Sequence, residues 1–97
     1  MRMVSLEEFA SAANQGFDLA LGESSTPLTL VEMKPLPVQP YPGMMRAPFS
    51  LIFRGASPVV LPQKLYSLNN ATLGRLELFL VPVGRDREGV LYQAVFN

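Results

Sequence analysis

The run Leu76-Glu77-Leu78-Phe79-Leu80-Val81 is apolar on both of its alternation faces, and few folds can accommodate that. Successive side chains of a strand point to opposite sides. Leu76, Leu78 and Leu80 therefore share one face, and Glu77, Phe79 and Val81 share the other. A strand with one wet face would show a polar row there. The last segment repeats the pattern, with Val90, Tyr92, Ala94 and Phe96 set against Leu91, Gln93 and Val95. Strands of this kind need cover on both sides. A closed barrel supplies one covered side, its interior. Three sources of cover remain open for the other: an N-terminal helix, a Pro-rich segment or a second protomer.

The rest of the chain supplies partners for these strands. Phe17 to Leu21 and Leu28 to Lys34 read as a hairpin around the turn residues Gly22 to Thr26. Phe49 to Arg54 ends at Gly55, and Pro58 to Pro62 bends the chain. Lys64 to Leu68 precedes the turn pair Asn69-Asn70. Arg75 to Val83 is the longest apolar strand, and a charged loop from Gly84 to Gly89 leads into Val90 to Phe96. Before all of these, Ser5-Leu6-Glu7-Glu8 spells a capping box. Leu6, Phe9, Ala10 and Ala13 then fall on one helical face, with Gly16 placed to take positive φ at the stop. This predicts a helix from Leu6 to Asn14, too short to persist alone, whose Leu6 and Phe9 dock on the β core. Pro35, Pro37, Pro40, Pro42, Gly43 and Pro48 exclude a helix or a central strand from the segment they occupy, so a long loop is expected there. The fold class is mainly β: a small antiparallel β-barrel or rolled sheet of about six strands, with one short N-terminal α-helix. Cutting at the Pro-rich loop would leave a fragment too short for its own core, so residues 1–97 form a single domain.

Composition removes whole classes of chemistry. The 97 residues include no cysteine and no histidine. Thiolate and imidazole nucleophiles, Ser-His-Asp triads and zinc sites built on these ligands are therefore out of reach. Neither common Gly-rich phosphate loop is present. Eight basic residues balance eight acidic ones, without the basic excess that nucleic-acid binders use to displace counterions. No window approaches a membrane span, and the N-terminus meets Glu7 and Glu8 before any apolar run, unlike a secretory signal. The expectation is a cytoplasmic protein with no cofactor, no metal, no nucleic-acid partner, no membrane partner and no catalytic residues. Charged residues make up only 16% of the chain, which leaves room for apolar surface covered by another protein or by a second copy.

Few residues stand out as candidate contacts. Arg54 and Glu77 each sit in an apolar strand, where charges are usually paired, so a cross-strand Arg54–Glu77 bridge is expected. Asp86 and Glu88 alternate with Arg85 and Arg87 and read as solvated ion pairs. Lys34-Pro35-Leu36-Pro37-Val38-Gln39-Pro40 matches a basic-x-x-Pro-x-x-Pro ligand formally, but such short matches are frequently accidental. Tyr41, Met44 and Met45 place apolar, adaptable side chains in the same loop, making it the candidate partner contact.

Several segments together resemble a known group. They are Phe49-Ser50-Leu51-Ile52-Phe53-Arg54-Gly55, Leu61-Pro62-Gln63 before Tyr66, Leu73-Gly74 into the run from Glu77 to Gly84, and the ending Tyr92-Gln93-Ala94-Val95-Phe96-Asn97. They resemble small bacterial proteins grouped as a domain of unknown function, whose genes often lie beside phage tail-collar-like proteins. The resemblance implies an accessory or structural role in a tail-like assembly, with a tail-collar-type partner, and transfers no catalytic residue. Two functional expectations follow. One is a non-catalytic interaction module that self-associates or meets a partner through apolar surface. The other is a small-molecule-binding barrel, its cavity lined by residues such as Phe53, Leu78 and Tyr92, with Arg54 or Glu77 as polar anchor.

Overall fold

The computed structural model describes residues 4–37 and 48–96. Its first element is α1, Leu6–Ala10, opened by the capping box that the sequence spells: the Glu8 amide donates to the Ser5 hydroxyl at 3.2 Å, and the Ser5 amide to the Glu8 carboxylate at 3.3 Å. The helix is shorter than predicted, because the chain passes into turns over 11–14. Asn14, at φ 64°, takes the left-handed conformation in place of Gly16, a role that asparagine tolerates better than most residues. The Asn14 amide then donates to the Leu30 carbonyl at 2.8 Å, so the chain leaves the turn directly onto the sheet.

Six strands follow among the described residues: β1 (Gly16–Leu21), β2 (Ser24–Pro35), β3 (Phe49–Gly55), β4 (Lys64–Asn70), β5 (Gly74–Asp86) and β6 (Gly89–Phe96). All neighbours are antiparallel, and the sheet closes in the order β1-β2-β3-β6-β5-β4, with β4 returning to β1. Of the two predicted forms, rolled sheet and barrel, the barrel is the one that forms. Exchanging β1, β2 and β3 with β4, β5 and β6 leaves this order unchanged. The barrel is thus two three-stranded meanders, of 6, 12 and 7 residues and of 7, 13 and 8. One seam between them, β3 to β6, runs from Phe49↔Phe96 to Gly55↔Val90. The other, β1 to β4, is limited to Asp18↔Asn69 and Leu19↔Leu68.

Every strand runs further than the sequence predicts, β2, β4 and β5 by two residues or more, and a proline lies in the added or outer part of β2 and of β5. Pro27 pairs with Asp18 just before the β2–β3 ladder opens at Leu28. Pro82 lies beyond Lys64↔Leu80, where the β4–β5 ladder ends. Each proline has a ladder neighbour on one side only, so its missing N–H costs little there. The predicted charged loop shrinks to a two-residue turn, because Asp86 pairs with Gly89.

Phe17, Leu19, Leu28, Leu30, Leu51, Phe53, Leu68 and Leu80 fill the interior, with Phe17 meeting Phe53 edge-on at 5.1 Å. Such a filled interior is what small barrels require. At the lower end Phe9 of α1 is fully buried against the stacked rings of Phe49 and Phe96, whose centroids lie 4.6 Å apart. The helix therefore docks as predicted, as a plug. At the upper end β3 and β4 lie two strands apart in either direction around the barrel, so residues 56–63 must cross the mouth to connect them. Two tyrosines hold this crossover: the Leu61 amide donates to the Tyr92 hydroxyl at 3.0 Å, and the Tyr66 hydroxyl donates to the Pro62 carbonyl at 2.5 Å. No helix among the described residues is long and apolar enough to cross a membrane.

Candidate functional site

The alternation of β5 and β6 gives the barrel wall its chemistry. Their inward residues Leu76, Leu78, Leu80, Val90, Tyr92 and Ala94 are buried, as predicted. Cover for the outward row was expected from the helix, the Pro-rich segment or a second protomer, and among the described residues Phe79 and Val95 each keep 50% of their surface exposed, and Leu65 keeps 54%. The helix that could have covered them plugs the lower end instead. Leu65 of β4 pairs directly with Phe79 of β5, and Val81, Gln93 and Ile52 continue the outer surface across β5, β6 and β3. The result is a largely apolar band on the outer wall, with the Gln93 amide between Val81 and Ile52. Leu65 carries the sequence signal for it: opposite the inward Tyr66 and Leu68, it is an apolar residue in an otherwise polar row with Ser67.

Arg54 and Glu77, the two charges predicted to pair, do not meet. Glu77 lies exposed on the outer wall opposite Ser67. The row that contains Arg54 crosses Leu91 of β6 and arrives at Gly84 of β5, about 20 Å along the strand from Glu77. Arg54 bonds Asp86 instead, through Nη2 to Oδ2 at 2.5 Å, and reaches Glu88 through Nη1 at 3.2 Å. Asp86 and Glu88 were expected to pair with Arg85 and Arg87; their partner comes from another strand. Asp86 also accepts the Glu88 and Gly89 amides, at 2.9 and 3.1 Å. The Arg54 hydrogen bond, then these amides, hold the Asp86 carboxyl below the usual carboxylate range, and the same hydrogen bond holds Arg54 above its ordinary value.

Tyr41, Met44 and Met45, proposed for partner contact, lie outside the described residues, as does the Val38–Pro40 end of the proline-rich match. Phe53 and Leu78, proposed as cavity lining, are packed into the core. An apolar cleft of about 290 Å³ does open at the upper mouth, between the crossover and the β1–β2 hairpin, and Tyr92 forms part of it. Its other lining residues include Leu21, Val59 and Leu61, all at strand ends or in the crossover, where alternation gives no signal.

Fold and surface together define a small closed antiparallel β-barrel with a helical plug and, among the described residues, an exposed and largely apolar band on its wall. The chain belongs to the family described as a domain of unknown function (DUF6916), which it matches over residues 4–96. It matches no curated protein and no solved structure.

Proposed function

We propose that this domain acts by contact and not by catalysis, and that a second copy of the chain covers the outer band of β4, β5 and β6. The observation that carries this reading is the exposed cross-strand pair Leu65–Phe79, with Val95 on the same outer surface. A large apolar pair held rigid in the centre of a sheet is already ordered, so covering it gains hydrophobic energy at little entropic cost. Charge favours a symmetric partner. In an isologous contact each patch meets itself, so a charged patch would face its own sign. The band between Glu77 and the Arg54–Asp86 pair carries no formal charge. The resemblance to proteins encoded beside tail-collar-like proteins gives this contact role a setting, that of an accessory component in a tail-like assembly.

Light scattering of the pure protein tests the reading. A dimer is expected, and Phe79→Lys is expected to return it to a monomer with an unchanged circular dichroism spectrum, because the side chain lies outside the core. A wild-type chain that stays monomeric at millimolar concentration rules out the self-contact.

A further inference from the structure

We infer that the cleft at the upper mouth is a binding site for a small, neutral, apolar molecule carrying one hydrogen-bond acceptor. The inference is independent of the outer band, which lies on another part of the barrel.

Size comes first. An apolar cavity of about 150 Å³ is enough to hold benzene, and this cleft offers about 290 Å³. A two-ring aromatic or a short branched chain is the scale it suits. The mouths of β-barrels are a recurrent place for such sites.

The lining decides the chemistry. Leu21, Leu28, Val59 and Leu61 surround the cleft with the Tyr92 ring, and its polar contributors are the neutral residues Thr26 and Ser57. Among the described residues, no charged side chain lines it. A charged ligand would leave water here without a counter-charge, which is costly. A neutral ligand loses little and gains apolar burial.

One polar group gives direction. Tyr92 is 2% exposed, and its hydroxyl oxygen accepts the Leu61 amide. That bond uses the oxygen as acceptor and leaves the phenolic proton to donate. A carbonyl or ether oxygen on the ligand supplies its acceptor. Gly55 lets two lining side chains close onto the backbone: a Cβ there would stand 2.9 Å from Leu28 Cδ2 and 3.5 Å from the Tyr92 ring. The two walls come from separate elements, the crossover and the β1–β2 hairpin, so the site exists only when both are in place.

Amide chemical-shift titration of the full chain tests this with three probes of one shape: 2-acetylnaphthalene, 2-ethylnaphthalene and 2-naphthoate. Saturable shifts are expected at Leu28, Gly55, Leu61 and Tyr92 with the ketone, and affinity about tenfold weaker for the carboxylate, which must be desolvated. Tyr92→Phe, which also frees the Leu61 amide that helps to hold the crossover, is expected to weaken both and to erase the preference for the ketone over the hydrocarbon. Val59→Asp, on the exposed rim, is expected to weaken both without unfolding the protein. Three outcomes overturn the inference: shifts confined to Leu65, Phe79 and Val95, equal affinity for the carboxylate, or cleft shifts that follow protein concentration alone. The last would assign the cleft to a second copy.

Discussion

The guanidinium of Arg54 grips the carboxylate of Asp86 from two nitrogens, Nε lying 3.2 and 3.0 Å from the two oxygens, although their strands, β3 and β5, share no ladder. The pair spans β6, which lies between them. It forms because Asp86 ends β5 at the tight turn into β6, where its carboxylate also accepts the Glu88 and Gly89 amides. One carboxylate thus shapes the β5–β6 turn and ties it to β3.

That double use predicts a pH dependence. A carboxyl held below its ordinary value stabilises the fold while ionised, and the contribution is lost as pH falls through the lowered value. Asp86→Asn is expected to lower stability at neutral pH. The gap between wild type and variant should hold down to about pH 5 and close progressively below about pH 4, the ordinary aspartate range. Urea unfolding across that range measures it. A gap that persists unchanged into strong acid would show that Asp86 acts through its shape alone.

Glycine at 89 is a second requirement of the same turn. A Cβ there would lie 2.0 Å from the Gly55 carbonyl oxygen and 2.8 Å from its carbon, both backbone atoms that cannot swing aside. Gly22 and Gly74 also have positive φ, at 65° and 77°, but a Cβ at either meets nothing within 4 Å. Gly22→Ala and Gly74→Ala are therefore expected to cost only the strain of a left-handed alanine, about 1–2 kcal/mol each. Gly89→Ala should cost clearly more, since it adds overpacking of about 1–3 kcal/mol. Thermal unfolding of the three variants ranks them, and equal losses would contradict the clash.

Asn70 is a buried hub that joins the two meanders at their weaker seam. Its Nδ2 donates to the Gly16 carbonyl at 2.9 Å, and its Oδ1 accepts the Thr72 and Leu73 amides at 2.9 and 2.8 Å. Removing the side chain deletes these bonds, of which the one from Leu73 is buried and the other two are part-buried. Asn70→Ala is expected to cost about 1–3 kcal/mol, the scale for loss of a buried hydrogen-bonding partner. Asn70→Asp keeps the acceptor and loses the donor, so hydrogen exchange should show Leu73 still protected and the β1–β4 seam loosened.

How much of this the sequence carried depends on the range of the interaction. The capping box is complete within Ser5 to Glu8, and it forms as spelled. The inward rows of β5 and β6 follow from a period of two, so the barrel and its core were legible. Pairings set by closure were not. Arg54 and Asp86 are 32 residues apart, and only the strand order brings them together. Alternation also marks Phe79 as apolar without saying whether anything covers it. The matching meanders left no repeat, because β3 reads Phe-Ser-Leu-Ile-Phe-Arg-Gly and β6 reads Gly-Val-Leu-Tyr-Gln-Ala-Val-Phe. The same path of the chain can be filled by different apolar side chains, so topology repeats where sequence does not.

Tyr66 predicts a second, alkaline limit to stability. Burial first, and then the neighbouring Tyr92, push its hydroxyl above the ordinary tyrosine value. Here the neutral form is the one the fold favours. Its contribution is complete below about pH 10 and is lost as pH rises through the raised value. Three tyrosines are present, Tyr41, Tyr66 and Tyr92. Phenolate absorbance should therefore show at least one late step, and Tyr66→Phe should remove it. The same variant deletes the bond to the Pro62 carbonyl that pins the crossover, at about 1 kcal/mol. Amide exchange over 56–63 should quicken in consequence, while exchange at the α1 plug, at the far end of the barrel, stays as it was. A late step that survives in Tyr66→Phe would assign the raised value to another tyrosine.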